Sequence, residues 1–163
     1  MRLVLQKVKN ASVTVDNKII SSIGNGLMLL VGISTSDTQE DVSKLSKKIL
    51  SLRVFEDITK EAGTNTEWVG KPWSKSIKDI GGEILSVSQF TLYGTIKKGS
   101  KPDFHKAAKG EDAIKLYTLF LDQLKDGLGK EKVKDGEFGA MMEVNLQNSG
   151  PVTIVWDTQD SIL

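Results

Sequence analysis

The run Leu27-Met28-Leu29-Leu30-Val31-Gly32-Ile33 constrains the fold more than any other stretch of this chain. It is apolar on both faces that a strand presents, so it reads as a central strand buried on both sides. What precedes it alternates: Leu3 and Leu5, then Val13 and Val15, mark a strand over 2–16 with a break near Lys9-Asn10. Asp16-Asn17 is turn chemistry that sends the chain back along Lys18–Ile23 as a hairpin, and Gly24-Asn25-Gly26 turns it again. After the central run the period lengthens. Asp37 with Glu40 resembles a capping box, Asp41 adds charge to the first turn, and Val42, Leu45, Ile49 and Leu52 form one helical stripe. Lys44, Lys47 and Lys48 fall on the opposite, solvated face.

The second half repeats this mixture. Arg53-Val54-Phe55-Glu56 reads as a short strand, and residues 57–79, with Gly63, Gly70 and Pro72, as a long loop that Trp68 and Trp73 anchor to the body. Glu83–Leu92 is the next strand. A second helix covers Asp112–Leu128, with Ala113, Leu116, Tyr117, Phe120 and Leu124 on one face and Gly127 and Gly129 at its end. Val133–Gly136 is a connector, Phe138–Leu146 a strand, and Val152–Trp156 a last strand. With 163 residues and no linker or repeat, the expectation is one α+β domain over 1–163. Its sheet is mixed or antiparallel and barrel-like, with two main helices packed on it.

Composition removes whole classes of chemistry. There is no cysteine, so disulfides, thiolate metal sites and cysteine nucleophiles are excluded. His105 is the only histidine, which leaves no histidine-based metal site within one chain. No run reaches membrane-span length and the N-terminus opens directly as a strand, so the chain reads as soluble and cytoplasmic. A formal net charge of +1 means that any anion must be held by a local patch. Such a patch follows the strand end Ser88-Gln89-Phe90-Thr91-Leu92-Tyr93-Gly94: the loop Lys97-Lys98-Gly99-Ser100-Lys101. A polar strand end beside an anion-attracting loop suits a phosphate-bearing substrate. No glycine-rich phosphate loop or nucleophile elbow is present, so if the chain is an enzyme its catalysis must lean on backbone donors, bound water and the substrate itself. Near the C-terminus, Gly150-Pro151 interrupts strand-like sequence, and an X-Pro bond is the one place where a cis peptide costs only about 0.5–1 kcal/mol over trans.

Taken together, Ser88-Gln89-Phe90-Thr91-Leu92 and Gly150-Pro151-Val152-Thr153 resemble the D-aminoacyl-tRNA deacylase family. Leu5-Gln6-Lys7-Val8, Leu30–Ile33, Leu52-Arg53-Val54-Phe55, the Lys98–His105 loop with Pro102-Asp103-Phe104-His105, and Phe138-Gly139-Ala140-Met141-Met142 are similar to it as well. They occur in the family's order, cover essentially the whole chain, and look eukaryotic in type. The resemblance implies hydrolysis of the ester between a D-amino acid and the 3′-terminal adenosine of tRNA, and removal of glycine mischarged on alanine tRNA. It implies a homodimer acting on the aminoacyl-tRNA 3′ end, with no metal, no organic cofactor, no membrane and no DNA partner. Ser88, Gln89, Phe90, Thr91 and Met141 would bind substrate, with Phe90 and Thr91 as the catalytic pair through backbone oxyanion donors and positioning. Gly150-Pro151, cis and donated by the partner subunit, would block an L side chain. Lys97, Lys98 and Lys101 would meet tRNA phosphates.

One departure stands out: Ser149 occupies a position that is usually acidic in the family, and its hydroxyl is expected to support the turn instead. Two other readings remain open on the residues. One is a non-catalytic RNA-binding module of the same fold; the other is a general esterase using Ser88 or Thr91 with His105.

Overall fold

A computed structural model describes residues 1–59, 69–97 and 99–160. Trp68, Lys98 and Gly63 lie outside them. The chain opens with β1 (Arg2–Val15), whose first half pairs antiparallel with β3 (Gly26–Gly32) and whose second half pairs with β2 (Lys18–Ile23). Along its other edge β1 pairs almost end to end with β8 (Glu143–Asp157), with register shifts at Gln6–Val8 and Val8–Asn10. The break expected near Lys9-Asn10 is therefore a slip in register within one continuous strand.

On the far side of β3 lies β6 (Glu83–Ser88), and beyond it β7 (Val133–Asp135), both parallel to their neighbours. The sheet is mixed and nearly closed. Where β2 and β7 approach, side chains bridge the seam: Ser21 Oγ donates to Asp135 O at 2.8 Å and Lys134 Nζ to Ser22 O at 2.8 Å. A separate two-stranded sheet joins β4 (Arg53–Asp57) to β5 (Lys71–Ser76). The helices α1 (Gln39–Ser51) and α2 (Gly110–Leu128) pack against one another and cover one face of the sheet.

The alternation of side chains explains both cores. Leu27, Leu29 and Val31 of β3 face the helices and meet Leu45, Ile49, Phe120 and Leu124 in one cluster. Met28 points the other way, into a second cluster with Val8, Val13, Leu85 and Val87. The central run is thus buried on both sides as expected, and each of its fully enclosed large side chains contributes about 1.5–3 kcal/mol.

Several boundaries differ from expectation, each for a local reason. The helix cap sits one residue later, at Thr38, whose amide donates to Asp41 Oδ2 at 2.9 Å. Asp37 is occupied elsewhere: it accepts from the Ser34 amide at 2.7 Å and from the Met1 ammonium at 2.6 Å. The stretch read as a loop over 57–79 contains β5, with Trp73 at a positive φ of 55° and more than half exposed. The connector at 133–136 is β7, and it finishes the sheet. Phe138–Met142 is irregular, so the strand read from Phe138 begins at Glu143 and runs without interruption through the last strand. The strand read as ending at Leu92 stops at Ser88 and continues as a 3-10 turn, Phe90–Tyr93.

Candidate functional site

That 3-10 turn is the centre of the site. β6 delivers Ser88 to the end of the sheet, and the Gln89 amide donates to Val31 O at 2.8 Å, which fixes the exit from the strand to its neighbour β3. Leu92 N then donates to Gln89 O at 3.2 Å and Gly94 N to Thr91 O at 2.9 Å, closing the turn. The amides of Phe90 and Thr91 come before the first of these bonds, so the turn itself leaves both donors unused. Gln89 Nε2 donates to Thr91 Oγ1, joining the two polar side chains at the rim.

The back of the turn is held by residues that the sequence reading did not single out. Arg2 Nη1 donates to Leu92 O at 2.9 Å, its guanidinium lies 4.5 Å from the Tyr93 ring centre, and its Nε donates to Asp157 Oδ2 at 2.8 Å. The carboxylate bond raises the Arg2 pKa still further above its ordinary value, so the anchor is a permanent cation. Gly32 passes directly beneath: a Cβ there would lie 3.0 Å from Leu92 Cβ and 3.2 Å from Gln89 O. Burial pushes the Tyr93 phenol well above its usual range and keeps it neutral. No signal in the sequence marks Arg2, because its partners lie 90 and 155 residues away.

Beside the turn opens a cleft of about 340 Å³, walled by Val31, Val87, Ala113, Phe138, Met142 and Val144, with Ser88, Gln89 and Phe90 at its polar end and Met141 at its mouth. The structure therefore brings Ser88, Gln89, Phe90 and Met141 to one cavity, with Thr91 bonded to Gln89 at its edge. Phe90 leaves 56% of its surface exposed and Met141 92%, which is unusual for large apolar side chains and leaves the mouth of the cleft apolar and open. Phe90 packs edge-on against Phe104 at 5.1 Å between ring centres. A pocket that is mostly apolar with a few convergent polar groups suits a nucleoside carrying an aminoacyl group.

Lys97 and Lys101 are exposed on the loop that leaves the turn, between the paired residues Thr95 and Asp103; Lys98 lies outside the described residues. His105 is exposed and bonds Asp103, not Ser88 or Thr91. The hydrogen bond from His105 holds the Asp103 carboxyl below the usual carboxylate range. Among the described residues no cluster of three metal-ligating side chains occurs.

Gly150-Pro151 lies in the middle of β8, is exposed, and its peptide bond is cis. Its support comes from Asn148, not from Ser149. Asn148 Oδ1 accepts from the Val152 amide at 2.8 Å, while Nδ2 donates to Val152 O at 3.1 Å and Thr153 Oγ1 at 2.9 Å. The side chain spans the motif and clamps both of its flanks. Asparagine before a Gly-Pro turn was the available signal, since its amide copies a backbone turn.

Comparison with known proteins places this geometry. The D-Tyr-tRNA(Tyr) deacylase family matches over residues 4–157. A D-aminoacyl-tRNA deacylase of Saccharomyces cerevisiae is 58% identical over 158 residues, covering 97% of this chain and 99% of the relative. One from Drosophila melanogaster is 53% identical over 154 residues, covering 94% of this chain and 90% of the relative. Among solved structures, the c-Myc DNA Unwinding Element Binding Protein superposes with a TM-score of 0.86 at 49% identity, covering 96% of this chain and 98% of that one. A probable eukaryotic D-amino acid tRNA deacylase superposes at 0.78 with 20% identity, which speaks to the fold alone. Matched over nearly its whole length by sequence and by fold, the chain belongs to the D-aminoacyl-tRNA deacylase family of hydrolases.

Proposed function

We propose that this protein hydrolyses the ester that links a D-amino acid to the terminal adenosine of tRNA, releasing the free amino acid and the tRNA. The observation that carries the reading is the polar turn Ser88–Thr91 at the rim of an otherwise apolar, open-mouthed cleft. Adenosine fills the apolar part, and the ester carbonyl meets the Phe90 and Thr91 amides. A water adds to that carbonyl, its proton passing to the ribose 2′-oxygen while the 2′-hydroxyl's own proton passes to the 3′-oxygen, and the oxyanion is held by the two amides. Collapse then expels the 3′-oxygen as a neutral hydroxyl. Thr91 positions rather than attacks: its hydroxyl accepts a bond from Gln89, and among the described residues no side-chain base is bonded to it. His105, turned to Asp103, supports no esterase triad.

Chirality is set in a homodimer, where Gly150-Pro151 of the partner subunit enters the cleft. Backbone at that place excludes a side chain in the L position and accepts one in the D position. Glycine has no side chain to exclude, so glycine mischarged on alanine tRNA is a substrate too. Lys97, Lys98 and Lys101 meet tRNA phosphates.

The test is release of D-tyrosine and L-tyrosine from matched aminoacyl-tRNAs, with Thr91→Ala and a 2′-deoxy terminal adenosine alongside. Rapid D-only release that persists in Thr91→Ala but fails on the 2′-deoxy ester is the expected result. Absence of D-ester cleavage by the wild type overturns the enzyme reading.

A further inference from the structure

Ala108 is a wall residue of two cavities. On one side is the cleft just described; on the other is a groove of about 440 Å³ lined by Ser34, Thr35, Gln39, Lys109, Asp112 and Lys115, among others. Ala108 N donates to Ile33 O at 2.8 Å and Thr35 N to Lys106 O at 3.1 Å, which ties the segment before α2 to the residues that follow β3.

The second groove differs from the first in chemistry. Most of the residues that line it are polar or charged, and the side chains of Thr35 and Gln39 hold no hydrogen bond among the described residues. Lys109 is exposed and has no ion-pair partner among them, whereas Lys115 lies 4.0 Å from Glu111 on its own helix. Of the two carboxylates on the wall, Asp37 is neutralised by the Met1 ammonium at 2.6 Å. Asp112 has no such partner and opposes an anion.

We propose that this groove is a subsite for the nucleotide preceding the terminal adenosine, with Lys109 meeting the phosphate that joins the two. The inference rests on the deacylase reading, since it requires that the terminal nucleoside occupies the adjoining cleft. A single strand whose last base fills one cavity has its next sugar and phosphate within one residue's width of the first. Free hydroxyl and amide groups, with one uncommitted lysine, are what a sugar-phosphate link requires, and the groove has room for a nucleotide. The contact is one of backbone and charge, so it adds affinity without reading base identity.

The experiment compares kcat/KM for D-tyrosyl-adenosine with that for D-tyrosyl-cytidylyl-adenosine, the dinucleotide ending in the same adenosine. In the wild type the second nucleotide is expected to raise kcat/KM by about tenfold or more, as a hydrogen-bonded charge contact does. Lys109→Ala and Lys109→Glu abolish most of that gain, Lys109→Arg keeps it, and Asp112→Asn enlarges it. The salt dependence of the gain falls by about 0.7 in log–log slope in Lys109→Ala. A gain that survives both Lys109→Ala and Lys109→Glu, or a wild type that shows none while cleaving both substrates, overturns the subsite alone. A wild type that cleaves neither substrate overturns the deacylase reading and the subsite with it.

Discussion

Asn148 holds both flanks of Gly150-Pro151 with its one amide, accepting from the Val152 N–H and donating to Val152 O and Thr153 Oγ1. Backbone that excludes a side chain by position works only while that backbone is fixed. Asn148→Ala removes every one of these bonds from an exposed segment, so the fold survives and the aim of the motif is lost. The ratio of L-tyrosine to D-tyrosine release is expected to rise about tenfold, the equivalent of one or two net hydrogen bonds. Measured on matched tRNAs, an unchanged ratio would remove Asn148 from the discrimination. Ser149→Asp should by contrast change the ratio little, because the Ser149 hydroxyl forms no hydrogen bond among the described residues. Inside the sheet a different rule applies. Ser86 Oγ and Tyr117 OH pair at 3.0 Å with Ser86 fully enclosed. Tyr117→Phe strands the serine hydroxyl and is expected to cost about 1–3 kcal/mol in urea unfolding, while the double change Tyr117→Phe with Ser86→Ala recovers part of that loss.

The 3-10 turn Phe90–Tyr93 acts as a unit set between β3 below and Arg2 behind. Gly32→Ala pushes a methyl to within 3.0 Å of Leu92 Cβ and 3.2 Å of Gln89 O, so the turn must lift off β3. An angstrom-scale displacement of oxyanion donors costs about a hundredfold in rate. The expected signature is a fall in kcat with little change in KM, and a fall confined to KM would show that the turn only binds. How this turn was hidden is instructive. Ser88–Leu92 continues the polarity of a strand end, and nothing in composition distinguishes a strand from a turn that replaces its last residues. β7 escaped for a related reason: Val133–Asp135 is too short to show a period, and it is a strand because β6 leaves an edge for it. Trp73 at positive φ within β5 similarly breaks the local rule for a strand. The elements that were legible, β3, α1 and α2, are those with long apolar patterns that only one environment can satisfy. The residues proposed for the site stand out as a motif, while Arg2, Gly32 and Asn148, which hold those segments, act through long-range or backbone contacts that periodicity cannot carry.

At the scale of the whole molecule, β1 pairs with β8 almost end to end, which brings residues near 2 and 157 into register. Arg2, at that junction, bonds both Asp157 and the carbonyl of Leu92, so the same side chain that ties β1 to the end of β8 also holds the turn. Nearby, Asp41 accepts from Thr158 Oγ1 at 2.7 Å and Gln159 Nε2 at 2.7 Å, fastening α1 to the segment after β8. Burial alone would raise both carboxyls. For Asp157 the Arg2 bond, the Gln159 amide and the Met1 ammonium outweigh it, and for Asp41 the bonds from Thr158 and Thr38 do; both end below the usual carboxylate range. A depressed folded value means that the unfolded chain takes up protons first. The stability these groups contribute is present above the ordinary carboxylate pKa of about 4 and is lost as pH falls through their lower folded values. Urea midpoints of the wild type should hold steady near neutral pH and drop below about pH 4. Asp157→Asn should start lower at neutral pH and lose less on acidification, because one of the groups responsible has been removed. Because Arg2 also bonds Leu92 O, the variant should lose activity at neutral pH, where it remains folded. Equal acid slopes in wild type and variant would show that the β1–β8 junction is not what acid undoes, and retained activity would separate the junction from the site.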